Sequence, residues 1–122
     1  MSAQPSSTLP TLRAMSPQDI AAIMAIEHQC YPFPWTPGIF RDCMRVGYRC
    51  VVLEHEGRII GYGILSAAAG ESHILNLSIH PQAQRRGYGR ALLDRLIADA
   101  RTLGADMISL EVRPSNTIAR HL

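Results

Sequence analysis

The residues with the most evident chemistry are Gln84-Arg85-Arg86-Gly87-Tyr88-Gly89-Arg90, which join an apolar segment ending at Ile79 to a helical pattern running to about Leu103. A strand, a basic glycine loop and a helix N-terminus in that order can hold phosphate. The first amides of a helix have no carbonyl partner, and the helix dipole adds positive potential there. Glycine lets the main chain come close to an anionic oxygen, and three arginines add charge. The bland alternative is a basic loop that caps a surface helix. Two other nucleotide loops are excluded by spacing. A P-loop needs Gly-Lys followed by Ser or Thr, and the chain has no lysine. A dinucleotide fingerprint needs G-x-G-x-x-G, whereas Gly87-Tyr88-Gly89 is followed by Arg90-Ala91-Leu92.

A second informative stretch is Leu110-Glu111-Val112-Arg113-Pro114-Ser115-Asn116, where a carboxylate sits inside an apolar strand. Alternation puts Ile108 and Leu110 on one face and Ser109 and Glu111 on the other. Glu111 therefore either faces solvent or is held on the sheet for a purpose. A third is Tyr31-Pro32-Phe33-Pro34-Trp35, which cannot be helical because each proline restrains its predecessor as well as itself. Trp35 is core or groove wall, and Tyr88 is a packing residue or a lid over the phosphates. Arg41, Arg45 and Arg49 form a basic run that reads as a solvated face or an attractor of acidic peptide.

Other candidates point away from chemistry. His28, His55, His73, His80 and His121 lack ligand spacing, so no metal is expected. Cys30, Cys43 and Cys50 are odd in number and match no zinc or redox pattern. They read as buried or idle thiols of a reducing cytoplasm. A net charge of +2 is too small for a nucleic-acid partner. No apolar run has the length of a membrane span, and the N-terminus lacks the basic-then-apolar order of a secretory signal. With 122 residues and 47% hydrophobic content, one domain with a real core is expected.

The elements that must position these residues can be read from pattern. Residues 1–10 are rich in Ser, Pro and Thr and read as a flexible tail, leaving 11–122 as the folded domain. Thr11 to Met15 suits an edge strand, and Ser16-Pro17-Gln18-Asp19 starts a helix that runs to Cys30. A second helix starts at Thr36-Pro37 and ends near Gly47. Tyr48 to Glu54 and Arg58 to Ala67 form a hairpin around Glu56-Gly57, and residues 67–71 are a loop. Gly61 and Gly63 imply that something approaches the second of these strands closely. Ser72 to Ile79 is a strand, the helix after the glycine loop places Leu92, Leu93, Leu96, Ala100 and Leu103 on its inner side, and Gly104 caps it. Met107 to Val112 is a strand, and Pro114-Ser115 opens a last helix. The order is β-α-α-β-β-β-α-β-α, an α/β class with a mixed sheet and helices on its faces.

These blocks carry a resemblance. Gln84-Arg85-Arg86-Gly87-Tyr88-Gly89 resembles the R/Q-x-x-G-x-G/A pyrophosphate loop of the GNAT N-acetyltransferases. Leu110 to Asn116 is similar to the L-E-V-R-x-S-N segment of their RimI-type members, the ribosomal-protein-alanine N-acetyltransferases. Pro32-Phe33-Pro34-Trp35 resembles the A-F-P-W loop of that group, and Ile74 to Pro81 its L-F-N-I-A-V-x-P strand. The similarity implies the GNAT acyl-CoA N-acyltransferase fold and acetyl-CoA as co-substrate. It also implies transfer to the N-terminal amine of a protein, a ribosomal protein beginning with Ala.

By the same resemblance Glu111 is the general base and Asn116 contacts acetyl-CoA. Arg85, Arg86, Gly87, Tyr88, Gly89 and Arg90 hold the pyrophosphate, and the main chain of Leu77, Ser78 and Ile79 pairs with the pantetheine arm. Phe33 and Trp35 wall the acceptor peptide. The group's general-acid Tyr stands seven residues after the motif Asn, a position just beyond Leu122. The final strands that complete the acceptor groove are likewise expected to be missing, leaving an open sheet edge for self-association. Two rival readings follow, a small-molecule amine acetyltransferase and a non-catalytic CoA-binding module.

Overall fold

The computed structural model describes residues 9–110. Glu111, Asn116, the helix expected at Pro114-Ser115 and most of the expected tail lie outside the described residues. Five strands form one sheet in the spatial order β1-β2-β3-β4-β5: β1 Thr11–Ala14, β2 Arg49–His55, β3 Arg58–Ala68, β4 Glu71–Ile79 and β5 Met107–Leu110. The first three pairings are antiparallel, and β4 and β5 are parallel with Glu71 opposite Met107 and Ile74 opposite Leu110. The crossover that makes that pair parallel is α3, Tyr88–Thr102, while α1 Ile20–Cys30 and α2 Pro37–Arg45 precede β2.

Both hairpins close through two residues with positive φ: Glu56 at 53° with Gly57 at 78°, and Ala69 at 54° with Gly70 at 83°. Paired left-handed residues match the right-handed twist of the flanking strands. The second turn is tighter than the loop expected over residues 67–71, because β3 extends to Ala68 and β4 begins at Glu71. An alanine in a left-handed turn gives no compositional warning. At the front of α1, Pro17–Asp19 forms a single 3-10 turn rather than the first turn of the helix itself.

The sheet separates two cores. On one side Val51, Leu53, Leu65, Leu77 and Ile79 meet Leu92, Leu93, Leu96 and Ala100 of α3, whereas Leu103, expected on that face, is 49% exposed because the helix has ended at Thr102. On the other Val52, Tyr62 and Ile64 meet Ile20, Ile23 and Ile26 of α1 and Phe40 and Cys43 of α2. The two glycines of β3 face the α3 side, and their neighbours are other parts of the chain. A Cβ on Gly61 would lie 2.6 Å from Ile79 Cδ1 and 2.9 Å from the Ser78 carbonyl oxygen, and one on Gly63 would lie 2.7 Å from Leu96 Cδ1.

An ionic clasp ties the sheet edge to the α1 start. The Arg13 guanidinium donates to both Asp19 carboxylate oxygens at 2.9 Å and to Glu54 Oε1 at 2.9 Å. Asp19 also accepts from the Ser16 amide at 2.8 Å. Chiefly through its bonds with Arg13, Asp19 ionises below the usual carboxylate range despite its burial.

Two outcomes are expected. A carboxylate with a depressed pKa stabilises the fold above its unfolded pKa and loses that contribution as pH falls through its folded pKa. Asp19→Asn should lower the unfolding free energy by about 1–2 kcal/mol at pH 7, a figure held down by the 39% exposure of the Arg13 side chain. The difference from wild type should shrink progressively as pH falls below about 4, as read from urea midpoints across pH 7 to 3. Gly61→Ala should cost about 1–3 kcal/mol, since its Cβ meets a backbone carbonyl, whereas Gly63→Ala meets the end of a leucine side chain and should cost less. Thermal melts of the two variants check the order.

Candidate active site

The glycine loop begins where β4 ends. His80 turns the chain into a short 3-10 segment, Pro81–Ala83, with its Nδ1 accepting from the Gln82 amide at 3.1 Å. Gln84, the first residue of the motif, donates from Nε2 to the Ile79 carbonyl at 3.1 Å, so it fixes the loop to the strand end. Arg85 and Gly87 both have positive φ, 65° and 83°, and Gly87 is the N-cap of α3. No side chain among the described residues caps that helix. Among the described residues, the amides of Gly87, Tyr88 and Gly89 donate to no protein carbonyl. Amides so placed at the start of a 15-residue helix are able to hold an anion. Arg85, Arg86 and Arg90 are all exposed around it.

Tyr88 is half-buried against the α3-side core, with its ring 6.2 Å from that of His55. Packing therefore accounts for its body. A cleft of about 190 Å³ beside the loop is lined by His55, Arg58, His80, Arg86 and Tyr88, among others.

Leu77, Ser78 and Ile79 lead straight into this loop. The Leu77 and Ile79 side chains are fully buried on the α3 side. Ser78 points the other way, with its Oγ 2.8 Å from Tyr31 Oη and 2.9 Å from Asn76 Oδ1. All three side chains are committed to the interior, so any ligand role falls to their main chain. The described β4–β5 pairing covers Glu71 to Ile74, and Ile74 lies opposite Leu110, the last described residue. Glu111 and Asn116 follow it and lie outside the described residues.

The aromatic loop joins α1 to α2 on the opposite side of the sheet from α3. Trp35 is partly buried, its ring 5.2 Å from Phe40, which meets Tyr62 edge-on at 5.6 Å. Phe33 is 88% exposed at the crown of the loop. The sequence reading gave Trp35 two places; it rests on the core, while Phe33 is free to meet a partner.

One residue escaped the sequence reading altogether. Glu27 of α1 is fully buried, although it is a carboxylate. Its Oε1 accepts from Tyr62 Oη at 2.5 Å and from Asn76 Nδ2 at 3.1 Å, and its Oε2 accepts from the Trp35 amide at 2.7 Å. Burial above all, and then this carboxylate, hold the Tyr62 phenol protonated far above the ordinary range. The available signal was an acid on the inner stripe of α1, seven residues after Ile20 and four after Ile23.

Cys30 Sγ donates to the Ile79 carbonyl at 3.5 Å. Burial pushes the Cys43 thiol up and the Cys50 thiol up to about 12, so both stay protonated and poorly nucleophilic at neutral pH. Among the described residues no three His, Cys, Asp or Glu gather in a way that could hold a metal ion. Nor is any helix among them long and apolar enough to cross a membrane.

Comparison with known proteins agrees with this geometry. The model of the acetyltransferase (GNAT) family matches residues 20–122. The ribosomal protein bS18-alanine N-acetyltransferase of Salmonella typhimurium is 33% identical over 109 residues, covering 89% of this chain and 74% of the relative. The crystal structure of the ribosomal-protein-S18-alanine N-acetyltransferase from Escherichia coli superposes with a TM-score of 0.81 at 30% identity, over 93% of this chain and 73% of that one. Ard1 from Thermoplasma volcanium gives a TM-score of 0.83 at 25% identity, over 93% and 78%.

Proposed function

The chain belongs to the acetyltransferase (GNAT) family, and from that premise we propose that it transfers acetyl from acetyl-CoA to the N-terminal α-amine of a protein. The acceptor class is a ribosomal protein beginning with Ala, as named for the relatives that are about 31–33% identical over most of the chain. The observation that carries the transferase reading is the anion site at Gly87, Tyr88 and Gly89.

The residues fit the co-substrate. Unpartnered amides at a helix start, with the exposed Arg85, Arg86 and Arg90 around them, suit the diphosphate of a CoA. Acetyl-CoA supplies an acyl group activated as a thioester. The loop arginines and amides hold its charged end, which leaves the main chain of Leu77, Ser78 and Ile79 to align the arm. An N–H of that strand serves as the donor to the carbonyl oxygen. A free α-amine has a pKa of about 7.7–8.0, so a neighbouring carboxylate need remove only one proton near neutrality. Glu111 is assigned that part, directly or through a water, and Asn116 a contact to the co-substrate. Phe33, and Trp35 behind it, wall the acceptor side. Holding two substrates in register supplies much of the rate.

Three measurements test the reading. Calorimetric titration with acetyl-CoA should show saturable binding, which Arg85→Glu with Arg86→Glu weakens by about tenfold or more at low salt and less at high salt. Absence of wild-type binding would sink the transferase reading. Glu111→Gln should lower turnover by about 10²-fold with acetyl-CoA affinity retained; unchanged turnover removes Glu111 as base. In a peptide panel, only Ala-initiated peptides with free N-termini should be acetylated. Acetylation of small amines in preference to them would point to a metabolite acceptor.

A further inference from the structure

The α1–α2 loop is held at both ends by a buried polar network that no step above uses. At one end Tyr31 Oη lies 2.8 Å from Ser78 Oγ and donates to Asn76 Oδ1 at 3.4 Å. At the other end the Trp35 amide donates to Glu27 Oε2 at 2.7 Å. Glu27 Oε1 takes Asn76 Nδ2 and Tyr62 Oη, so one carboxylate links the loop to β3 and β4 together. Glu27, Tyr62, Asn76 and Ser78 are all 2% exposed or less. Burying a carboxylate is costly unless its oxygens are met by donors, and here three donors from three parts of the chain meet them. An amide in its place could accept on one oxygen only and would turn its NH2 toward a donor.

We infer that Glu27 is a positioning residue for acceptor recognition: it locks the Tyr31–Trp35 loop, with the exposed Phe33 at its crown, against the Asn76–Ser78 segment of β4. The inference rests on the transferase reading above for what the loop recognises. The placement says why acceptor and not co-substrate should feel it. Asn76 and Ser78 face α1, whereas Leu77 and Ile79 face α3, the helix that carries the anion site. Loosening Glu27 frees the aromatic loop and leaves the start of α3 untouched.

The test uses the 122-residue chain without ligand first. Hydrogen exchange of the Trp35 amide should run at least 100-fold below the rate of an unstructured chain; exchange at the unstructured rate overturns the inference. Glu27→Gln should then raise that exchange at least tenfold and weaken an Ala-initiated, free-amine peptide at least tenfold, with acetyl-CoA affinity changed less than threefold. Trp35, the single tryptophan, reports the loop by its fluorescence. Tyr62→Phe, which keeps the Trp35 contact, should leave peptide affinity within about threefold. Equal losses for peptide and acetyl-CoA, or no loss for peptide, overturn the assignment. Should Glu27→Gln not fold, Tyr31→Phe cuts the other tie and should weaken peptide at least threefold with acetyl-CoA unaffected; unchanged peptide affinity again overturns it. A wild-type chain that binds acetyl-CoA but no free-amine peptide overturns the acceptor reading itself, and is told apart because Trp35 exchange is measured without either.

Discussion

The alternation along β4 is the constraint that the rest of the site depends on. Successive strand residues face opposite sides of a sheet, and from Asn76 to Ile79 the two sides are chemically distinct. Leu77 and Ile79 close the apolar core under α3, while Asn76 and Ser78 enter a polar network under α1. The strand is thereby fixed from both faces by its side chains. A slip of one residue would place an amide and a hydroxyl in the α3 core and two large aliphatic groups against a buried carboxylate.

The glycine loop inherits its place from that strand. Gln84 bonds to the Ile79 carbonyl, and the short 3-10 turn between them leaves little freedom in where α3 begins. With Gly87 left-handed at the N-cap and no described side chain supplying the cap, the first amides of the helix have no partner among the described residues. Arg85, a non-glycine residue at positive φ, carries some backbone strain at the same point. The proposed anion site is therefore a consequence of how the strand hands over to the helix, with the arginines adding long-range attraction.

The opposite face works differently. Its helix α1 is anchored at one end by the Arg13 clasp on Asp19 and Glu54, and near the other by Glu27 among Tyr62, Asn76 and the Trp35 amide. The first clasp is partly exposed on its Arg13 side and screened there by water, which holds its contribution to about 1–2 kcal/mol. The second is fully buried, and its cost is offset only while every donor is in place. Such a buried charge adds little net stability over well-packed apolar groups, which is why a part in shaping the aromatic loop is the more informative account of it.

The sequence alone was enough for everything carried by short spacing. The glycine loop, the Glu56-Gly57 turn, the proline-bound aromatic loop and the periods of the strands and of α3 are local, because each depends on residues within a few positions of one another. So too was the resemblance, which rests on four such blocks in order. What only the tertiary structure decided are the meetings across long separations. Tyr62 and Glu27 are 35 positions apart and Asn76 and Glu27 are 49 apart, and a glutamate within a helix reads as a solvated residue until the sheet closes over it. The same holds for Gly61 and Gly63, whose close neighbours proved to be Ile79, Ser78 and Leu96. Local pattern says which face of an element is apolar; only the packed chain says what stands opposite it.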